Sequence, residues 1–466
     1  MRNQVDRVHF VGIGGVGMCG IAEVLANLKY KVSGSDQGEN ANTKRLRELG
    51  VNVHIGHDPS LVEGVDVVVI SSAVNKENPE VAAALEKKIP VIPRAEMLGE
   101  LMRFQKGIAV AGTHGKTTTT SLLASVLAEG GLDPTFVIGG RLNSAGANAR
   151  LGKGEYLVAE ADESDASFLH LHPVMAIVTN IDFDHMSTYG GDFERLKQTF
   201  VAFLHNLPFY GLAVMCIDDE SVREIIQQVH KPLLTYGFSD DADVQGREVR
   251  QKAGRMFFKV SVPGIRDWLG VTLNSPGRHN TLNALAAISV AYSLDIDPAK
   301  IAAGLEKFQG IGRRFQINGS VHIDSGDVLF IDDYAHHPTE LRATIEAAKE
   351  GWPDRRLVVA FQPHRYTRTQ DLFDDFSTVL ADLDQLVVTD VYAAGERPIS
   401  GASGRDLCQA IRARGRCQPV FVSEIELLPQ VLSDLVQAND LVLTMGAGNI
   451  GQIAAALPTN VEAKLI

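Results

Sequence analysis

Short runs of consecutive apolar residues recur along this chain, separated by segments whose apolar positions repeat every three or four residues. Val8-His-Phe-Val11 is the first run; it breaks into Gly12-Ile-Gly-Gly-Val-Gly17, and a helical pattern follows from Ile21 to Leu28. Lys31–Asp36, Val51–Ile55, Val65–Ile70 and Pro90–Ile92 repeat the strand-like theme, with helical patterns between them. Strands buried on both faces need such unalternated apolar runs, so the series predicts a parallel sheet covered by helices. After a mixed stretch at Arg94–Gln105 a second series starts at Ile108–Ala111. It continues through a helix at Ser121–Ala128, strands at Tyr156–Ala159 and Val174–Thr179, a helix at Phe193–Leu204 and a strand at Leu212–Ile217. From Ala242 to Val271 the sequence becomes charged and alternating, as in a small antiparallel excursion, before helices at His279–Leu294 and Ile301–Phe308. Beyond a glycine-bearing hinge at Gly310–Gln316, buried-type strands at Val328–Asp332, Leu357–Phe361, Gln385–Thr389 and Asp440–Met445 predict a third unit. The expected fold class is α/β in three domains, residues 1–104, 105–311 and 312–466.

The sharpest chemistry lies where the second series begins. Ile108-Ala-Val-Ala111 runs into Gly112-Thr-His-Gly-Lys-Thr-Thr118 and then into a helix. Strand, glycine loop, lysine, hydroxyl and helix is an arrangement that holds nucleotide phosphates: backbone amides face the anion, Lys116 adds a point charge and a threonine hydroxyl reaches Mg2+. The strict P-loop has a glycine five residues before Gly115, where this chain has Val110, so the loop is a short form. It predicts ATP use.

Composition narrows the classes. At 466 residues, 45% apolar and 22% charged, the chain is an ordinary globular protein too long for one core. No apolar run is long enough to span a bilayer, and the N-terminus enters a strand without a signal-peptide pattern. Cys19, Cys216, Cys408 and Cys417 have no zinc-ligand spacing and no disulfide is expected, which fits a reducing cytoplasm. A net charge of −13 argues against a nucleic-acid partner.

Three constellations remain. Gly12-x-Gly14-x-x-Gly17, with Asp36 ending the next strand, reads as a diphosphate site at a helix N-terminus; the ligand is NAD or a nucleotide-linked substrate such as a UDP-sugar. Gly446-x-Gly448-x-x-Gly451 repeats the spacing, and for either set a tight strand-to-helix turn is the alternative. Glu160 and Asp162 follow one buried strand, and Asp182, Asp184 and His185 follow another. In a parallel sheet these carboxyl ends lie together beside the lysine loop, and hard carboxylate oxygens suit Mg2+. Lastly, Arg313-Arg314, Asp332-Asp-Tyr-Ala-His-His-Pro-Thr-Glu340 and Gln362-Pro-His-Arg-Tyr-Thr-Arg368 gather arginines, histidines and a tyrosine into an anion pocket.

From Val8 to about Ile453 the chain resembles the Mur ligases. The resemblance rests on Gly112-Thr-His-Gly-Lys-Thr-Thr118, Glu160-Ala-Asp-Glu-Ser-Asp-Ala-Ser-Phe168, Asp184-His-Met, Arg278-His-Asn-Thr-Leu-Asn283, Gly312-Arg-Arg-Phe-Gln316, Asp332 to Glu340 and Pro363-His-Arg-Tyr-Thr-Arg368. It implies a UDP-sugar-binding Rossmann-like domain, a P-loop-type ATPase domain and a C-terminal α/β domain closing on ATP and the amino acid. The implied reaction is ATP-dependent ligation of L-alanine to the lactyl carboxylate of UDP-N-acetylmuramate, through an acyl phosphate, in cytoplasmic peptidoglycan precursor synthesis. Mg2+ is the implied metal, and a monomer or weak homodimer the implied state. Carried over residue by residue, Gly112, Thr113, His114, Gly115, Lys116, Thr117 and Thr118 hold ATP phosphates, with His279, Asn280, Asn283, Arg314 and Asp333 also on the nucleotide. Thr117, Glu160 and His185 hold metal, with Lys116, Glu160 and His185 the catalytic set. Gly14, Gly15, Val16, Gly17, Met18, Asp36 and Ser72 serve the UDP-sugar; Tyr334, His336, Arg365 and Arg368 surround the amino acid. Rival readings are a related amide ligase adding a peptide to the UDP-sugar in wall recycling or extending folate or cyanophycin, an NAD-dependent oxidoreductase, and a non-catalytic nucleotide-binding regulator.

Overall fold

The computed structural model describes residues 5–71, 73–142, 147–323 and 326–465, with side chains for these apart from 140–142, 147–148 and 463–465. Contacts divide the chain into two compact units, 1–248 with 258–272 and 281–309, and 249–257 with 273–280 and 310–466. Among the described residues no helix is long and apolar enough to cross a membrane.

The first unit opens with a five-stranded parallel sheet of β1 (Arg7–Val11), β2 (Lys31–Asp36), β3 (Asn52–Ile55), β4 (Val67–Ile70) and β5 (Val91–Pro93), in the order β3-β2-β1-β4-β5. The order reverses between β1 and β4, so the carboxyl end of β1, where Gly12 begins, faces the crevice that such sheets use for ligands. Alternate residues of β1 divide between two apolar layers: Val8 and Phe10 join the core with Ile21 and Leu25 of helix Val16–Asn27, while Val11 packs with Val62, Val68 and Val81. On that second face buried Glu80 takes hydrogen bonds from His9 (2.8 Å) and Ser35 (2.7 Å) and meets His57 at 3.0 Å, which ties the short crossover segments to the sheet. The stretch Arg94–Gln105, mixed in its pattern, is mostly the helix Arg94–Met102.

The second sheet has β6 (Lys106–Ala111), β7 (Thr135–Leu142), β8 (Ala147–Arg150), β9 (Tyr156–Glu160), β10 (Met175–Val178), β11 (Leu212–Cys216), β12 (Leu233–Gly237), β13 (Val244–Lys252), β14 (Arg255–Val262) and β15 (Ile265–Leu273). Its order is β15-β14-β13-β12-β11-β10-β6-β9-β7-β8. β6 lies between β10 and β9 and is parallel to both, so the loops leaving Ala111, Glu160 and Val178 emerge side by side. The alternating excursion is present as β13–β15, joined by two-residue connections that only antiparallel neighbours allow. The helix behind the lysine loop spans Lys116–Glu129, one turn earlier than the apolar pattern from Ser121 predicts. Along this polar stretch Thr120, Ser121 and Ser125 satisfy their hydroxyls within the helix by donating to the carbonyls four residues back, at 2.8–2.9 Å.

The second unit holds β16 (Gln316–Ile323), β17 (Gly326–Asp333), β18 (Leu357–Phe361), β19 (Gln385–Thr389), β20 (Val420–Val422) and β21 (Leu441–Met445), ordered β16-β17-β21-β18-β19-β20. Its neighbouring strands are parallel except β16 with β17, which are antiparallel. Residues 249–257 and 273–280 pack with this unit although they fall inside the segment expected as the central domain. Gln251 is one reason: its amide donates to the Ala347 carbonyl at 2.6 Å and accepts from the Gly277 N–H at 2.8 Å.

Candidate active site

The phosphate loop is built by glycine geometry. Gly112 (φ 133°) and Gly115 (φ 81°) lie in the left-handed region, and a Cβ on Gly112 would overlap the Thr179 hydroxyl. The loop is laced to the chain leaving β10: His114 N–H donates to Asn180 Oδ1 (2.8 Å), Asp182 N–H to Thr113 Oγ1 (2.9 Å), and Thr179 Oγ1 to the His114 carbonyl (2.7 Å). Asp182, expected among the metal-facing acids, meets His114 Nε2 at 2.9 Å. Gly115 is the N-cap and offers no side chain to the helix Lys116–Glu129, so the first-turn amides of Lys116, Thr117 and Thr118 stand toward the loop for an anion. Asn283, on helix Arg278–Ser293, packs over Gly115 and accepts from Thr119 Oγ1 at 3.2 Å.

Lys116 is not pointing into solvent. Its ammonium donates to the carbonyls of Gly112 (2.6 Å) and Thr113 (3.1 Å) and to both carboxylate oxygens of Glu163, at 2.9 and 2.8 Å. Burial alone would lower the lysine, but Glu163, Asp162 and Glu160 outweigh it and hold its pKa above the ordinary value. Burial raises the Glu163 carboxyl above its ordinary value, and the Lys116 ammonium facing both of its oxygens pulls the other way. Glu160, last residue of β9, accepts from the Gly139 N–H at 2.6 Å, and a Cβ on Gly139 would crowd the same carboxylate. His185 has a left-handed backbone (φ 57°) and lies 3.4 Å from Asp184 through Nε2.

The first glycine turn is also held from below. Asp36 accepts from the Gly14 N–H at 2.8 Å and from Gly38 N–H at 3.3 Å, while Asn42 donates to the Gly14 carbonyl at 2.8 Å. Asp36 therefore shapes the turn with the oxygens that a dinucleotide fingerprint would turn toward a ribose. Gly15 caps helix Val16–Asn27 without a side chain, and Gly17 leaves room for the Arg94 guanidinium lying against it. Val16 is exposed, but the Met18 side chain is 2% exposed and belongs to the core, and its N–H donates to the Gly15 carbonyl at 3.0 Å. Ser72 lies outside the described residues. Arg94, which the sequence did not single out, reaches from this turn to Asp162 (3.4 Å), next to Glu163. Burial raises Asp162, yet Lys116 and Arg94 hold its carboxyl below the usual range.

In the second unit the carboxyl ends of β17, β21 and β18 sit side by side. Asp333 accepts from the N–H groups of Phe315 (2.7 Å) and Ala335 (2.8 Å), and burial pushes its carboxyl up to about 6 against the pull of Arg314. The guanidinium of Arg314 lies 5.2 Å from the Tyr334 ring centre and 4.0 Å from Glu340. Arg313 is structural: it pairs with Asp332 at 3.0 Å and donates to the Gly446 and Gly448 carbonyls, and a Cβ on Gly451 would overlap its guanidinium. The second glycine set is thus an arginine seat. Tyr334, His336, His364 and Tyr392 form a row of ring contacts at 5.3, 5.8 and 5.5 Å. Arg368 approaches His364 at 3.5 Å, and Arg365 is exposed with a left-handed φ of 68°, its N–H held by the Tyr392 carbonyl at 2.9 Å. His279 lies near Arg314 and Glu340, whereas the Asn280 amide turns back to the Pro276 carbonyl at 2.7 Å.

Burial, assisted by Arg314 at His279, by Arg368 at His336 and by His336 at His364, holds each of these three imidazoles down at about 4, from an ordinary 6.5. Between those values the unfolded chain binds more protons than the folded one, so this contribution is intact above about pH 6.5 and is lost as the pH falls toward 4. Asp333, with a raised pKa, acts in the opposite sense. The clean readout is a difference: the parent protein should lose thermal stability relative to a His336→Asn, His364→Asn variant on going from pH 7 to pH 4.5. A constant difference in unfolding midpoint would contradict the two depressed imidazoles.

Comparison with known proteins places three family models along the chain: Mur ligase family, catalytic domain, over residues 7–106; Mur ligase middle domain over 110–291; and Mur ligase, glutamate ligase domain over 313–448. Among solved structures, a UDP-N-acetylmuramate–alanine ligase, MurC, from Thermotoga maritima is 32% identical, with a TM-score of 0.82, 98% of this chain and 99% of that one being covered. A murein peptide ligase from Psychrobacter arcticus shares the fold at 24% identity and a TM-score of 0.69, over 98% of each chain. A UDP-N-acetylmuramate:L-alanyl-γ-D-glutamyl-meso-diaminopimelate ligase from Neisseria meningitides is 30% identical with a TM-score of 0.61, covering 66% of this chain and all of that one.

Proposed function

The chain belongs to the Mur ligase family, and we propose that it joins L-alanine to the lactyl carboxylate of UDP-N-acetylmuramate while cleaving ATP to ADP and phosphate. Its setting is peptidoglycan precursor synthesis in the cytoplasm, and its domains are 1–104 for the UDP-sugar, 105–311 for ATP and 312–466 for the amino-acid side of the reaction. The observation that carries the reading is Lys116, held at an uncapped helix N-terminus where the loops leaving β6, β9 and β10 emerge together. The 32% identity to an alanine-adding ligase over nearly the whole chain supports alanine as the acceptor.

In this reading the γ-phosphoryl group moves from ATP to a carboxylate oxygen of the sugar, and ADP leaves. The amine nitrogen of alanine then attacks the acyl carbon, and phosphate departs with the carboxylate oxygen. Lys116 and the amides of residues 112–118 stabilise charge on the moving phosphoryl group, a task of positioning and electrostatics. Glu160, Thr117 and His185 would hold Mg2+: carboxylate and hydroxyl oxygens suit that ion, and Gly139 leaves the Glu160 carboxylate the room it occupies. When bound, the ion would neutralise phosphate charge. Asn283, Asn280, His279, Arg314 and Asp333 serve the nucleotide. Gly14–Gly17 at the helix N-terminus takes the diphosphate of the UDP-sugar.

Arg365 and Arg368, with Tyr334 and His336, serve the alanine carboxylate. Imidazoles that stay neutral at pH 7 let the arginines set the local charge and do not repel the incoming amine. An acceptor panel tests the assignment: with ATP, Mg2+ and UDP-N-acetylmuramate, turnover is expected with L-alanine and not with the tripeptide L-alanyl-γ-D-glutamyl-meso-diaminopimelate. Turnover with the tripeptide alone would move the chain to the peptide-adding branch.

A further inference from the structure

Glu163 has no part in the chemistry just described, yet it pairs with the lysine at its centre. Both of its carboxylate oxygens face Lys116 Nζ, at 2.9 and 2.8 Å, and its side chain is 2% exposed. Its backbone is fixed independently of that contact. The Tyr189 hydroxyl, itself buried, donates to the Glu163 carbonyl, Thr188 Oγ1 donates to the Ser164 carbonyl at 2.6 Å, and Ala166 turns the chain with a φ of 58°. The carboxylate is therefore delivered to the ammonium by a rigid turn.

A planar group with two anionic oxygens opposite the ammonium of a phosphate loop has the chemistry of a phosphoryl group. Lys116 has only three protons to donate, and Gly112, Thr113 and Glu163 already engage it. A nucleotide γ-phosphate can reach this lysine only if an existing partner gives way, and a carboxylate left beside the incoming phosphate would repel it. Releasing the pair to no new anion would strand a buried charge, which is strongly unfavourable. The exchange is therefore coupled to arrival of a ligand that brings its own charge.

We infer that Glu163 is a positioning residue standing in for the γ-phosphate: it holds Lys116 in the loop while no nucleotide is bound and yields the lysine when ATP enters. This rests on the ATP reading above. Glu163 then competes with the γ-phosphate, and removing its charge should favour ATP over ADP, because ADP brings no γ-phosphate to the exchange.

Equilibrium binding of ATP and of ADP, each with Mg2+, to the full-length protein and to Glu163→Gln tests it. ATP should bind about tenfold tighter to the variant, the scale of an ordinary coupling between two ligands of one group, with ADP changed much less. Glu163→Asp keeps the charge and should return the ADP-to-ATP ratio of Kd values toward that of the parent. Because the readout is a ratio within one protein, a general loss of stability does not imitate it. Equal weakening of both nucleotides, or an unchanged ratio in both variants, overturns the inference. If the unsubstituted protein binds neither nucleotide, the ATP reading itself fails.

Discussion

Lys116→Ala is expected to lower kcat/KM for amide formation by about 10³-fold or more while leaving UDP-sugar binding close to that of the parent, the scale of losing a preorganised charge at a reacting centre. The lysine lies behind Gly112 and Gly115, and the first glycine turn is a separate feature at the end of β1, so the two ligands should part company in the variant. Stability should fall as well. Glu163 is 2% exposed, and truncating its cation leaves a carboxylate buried without a partner, which costs about 3–5 kcal/mol for buried pairs in general. The two effects separate in Lys116→Ala, Glu163→Gln, where the stability returns in large part and the activity does not. Isothermal titration with UDP-N-acetylmuramate, thermal unfolding and a phosphate-release assay on both variants make the comparison. Ligation surviving in either would remove Lys116 from the chemistry.

Gly112→Ala should damage both the fold of the first unit and its nucleotide loop. At φ 133° an L-residue is strained, and the added Cβ would overlap Thr179 Oγ1 while lying 3.1 Å from the backbone of Asn180. Thr179 cannot retreat easily, since its hydroxyl holds the His114 carbonyl and Asn180 brackets the next two residues of the loop. We expect a loss of at least about 2 kcal/mol of stability, together with loss of ATP binding, because the amides that face the phosphates move with the loop. Gly131→Ala is the control: its φ of 83° is also positive, but a Cβ there meets nothing within 4 Å. That variant should show the backbone strain alone and keep nucleotide binding. Equal effects at the two positions, read by chemical denaturation and ATP titration, would contradict the role of the Thr179 contact.

The strand ends that gather the site were legible because buried parallel strands write themselves as unbroken apolar runs: Ile108–Ala111, Tyr156–Ala159 and Val174–Thr179 appear as β6, β9 and β10, adjacent and parallel. Glycines before Lys116 also carry their own signal, since their positive φ is a backbone requirement. What stayed hidden is what depends on side-chain direction across a loop. Nothing in Glu160-Ala-Asp-Glu-Ser-Asp165 tells which acid meets the lysine, because a turn has no period; the structure selects Glu163. Arg94 comes to Asp162 from 68 residues away in a stretch with mixed pattern, and Tyr392 joins the imidazole row from beyond β19. Gln316–Ile323 follows a region that reads as a hinge, and its pairing with β17 is masked by the register shift between Ile317 and Gly319. The second glycine spacing shows the converse: its pattern matches a diphosphate turn, yet its carbonyls hold Arg313.

Release of phosphate from ATP, measured with and without each substrate and paired with the mass of the product, tests the central claim most directly. The account predicts release that requires both UDP-N-acetylmuramate and L-alanine, with a product heavier than the UDP-sugar by one alanyl residue. Phosphate release indifferent to L-alanine, or a UDP-sugar of unchanged mass at the end of the reaction, would contradict it.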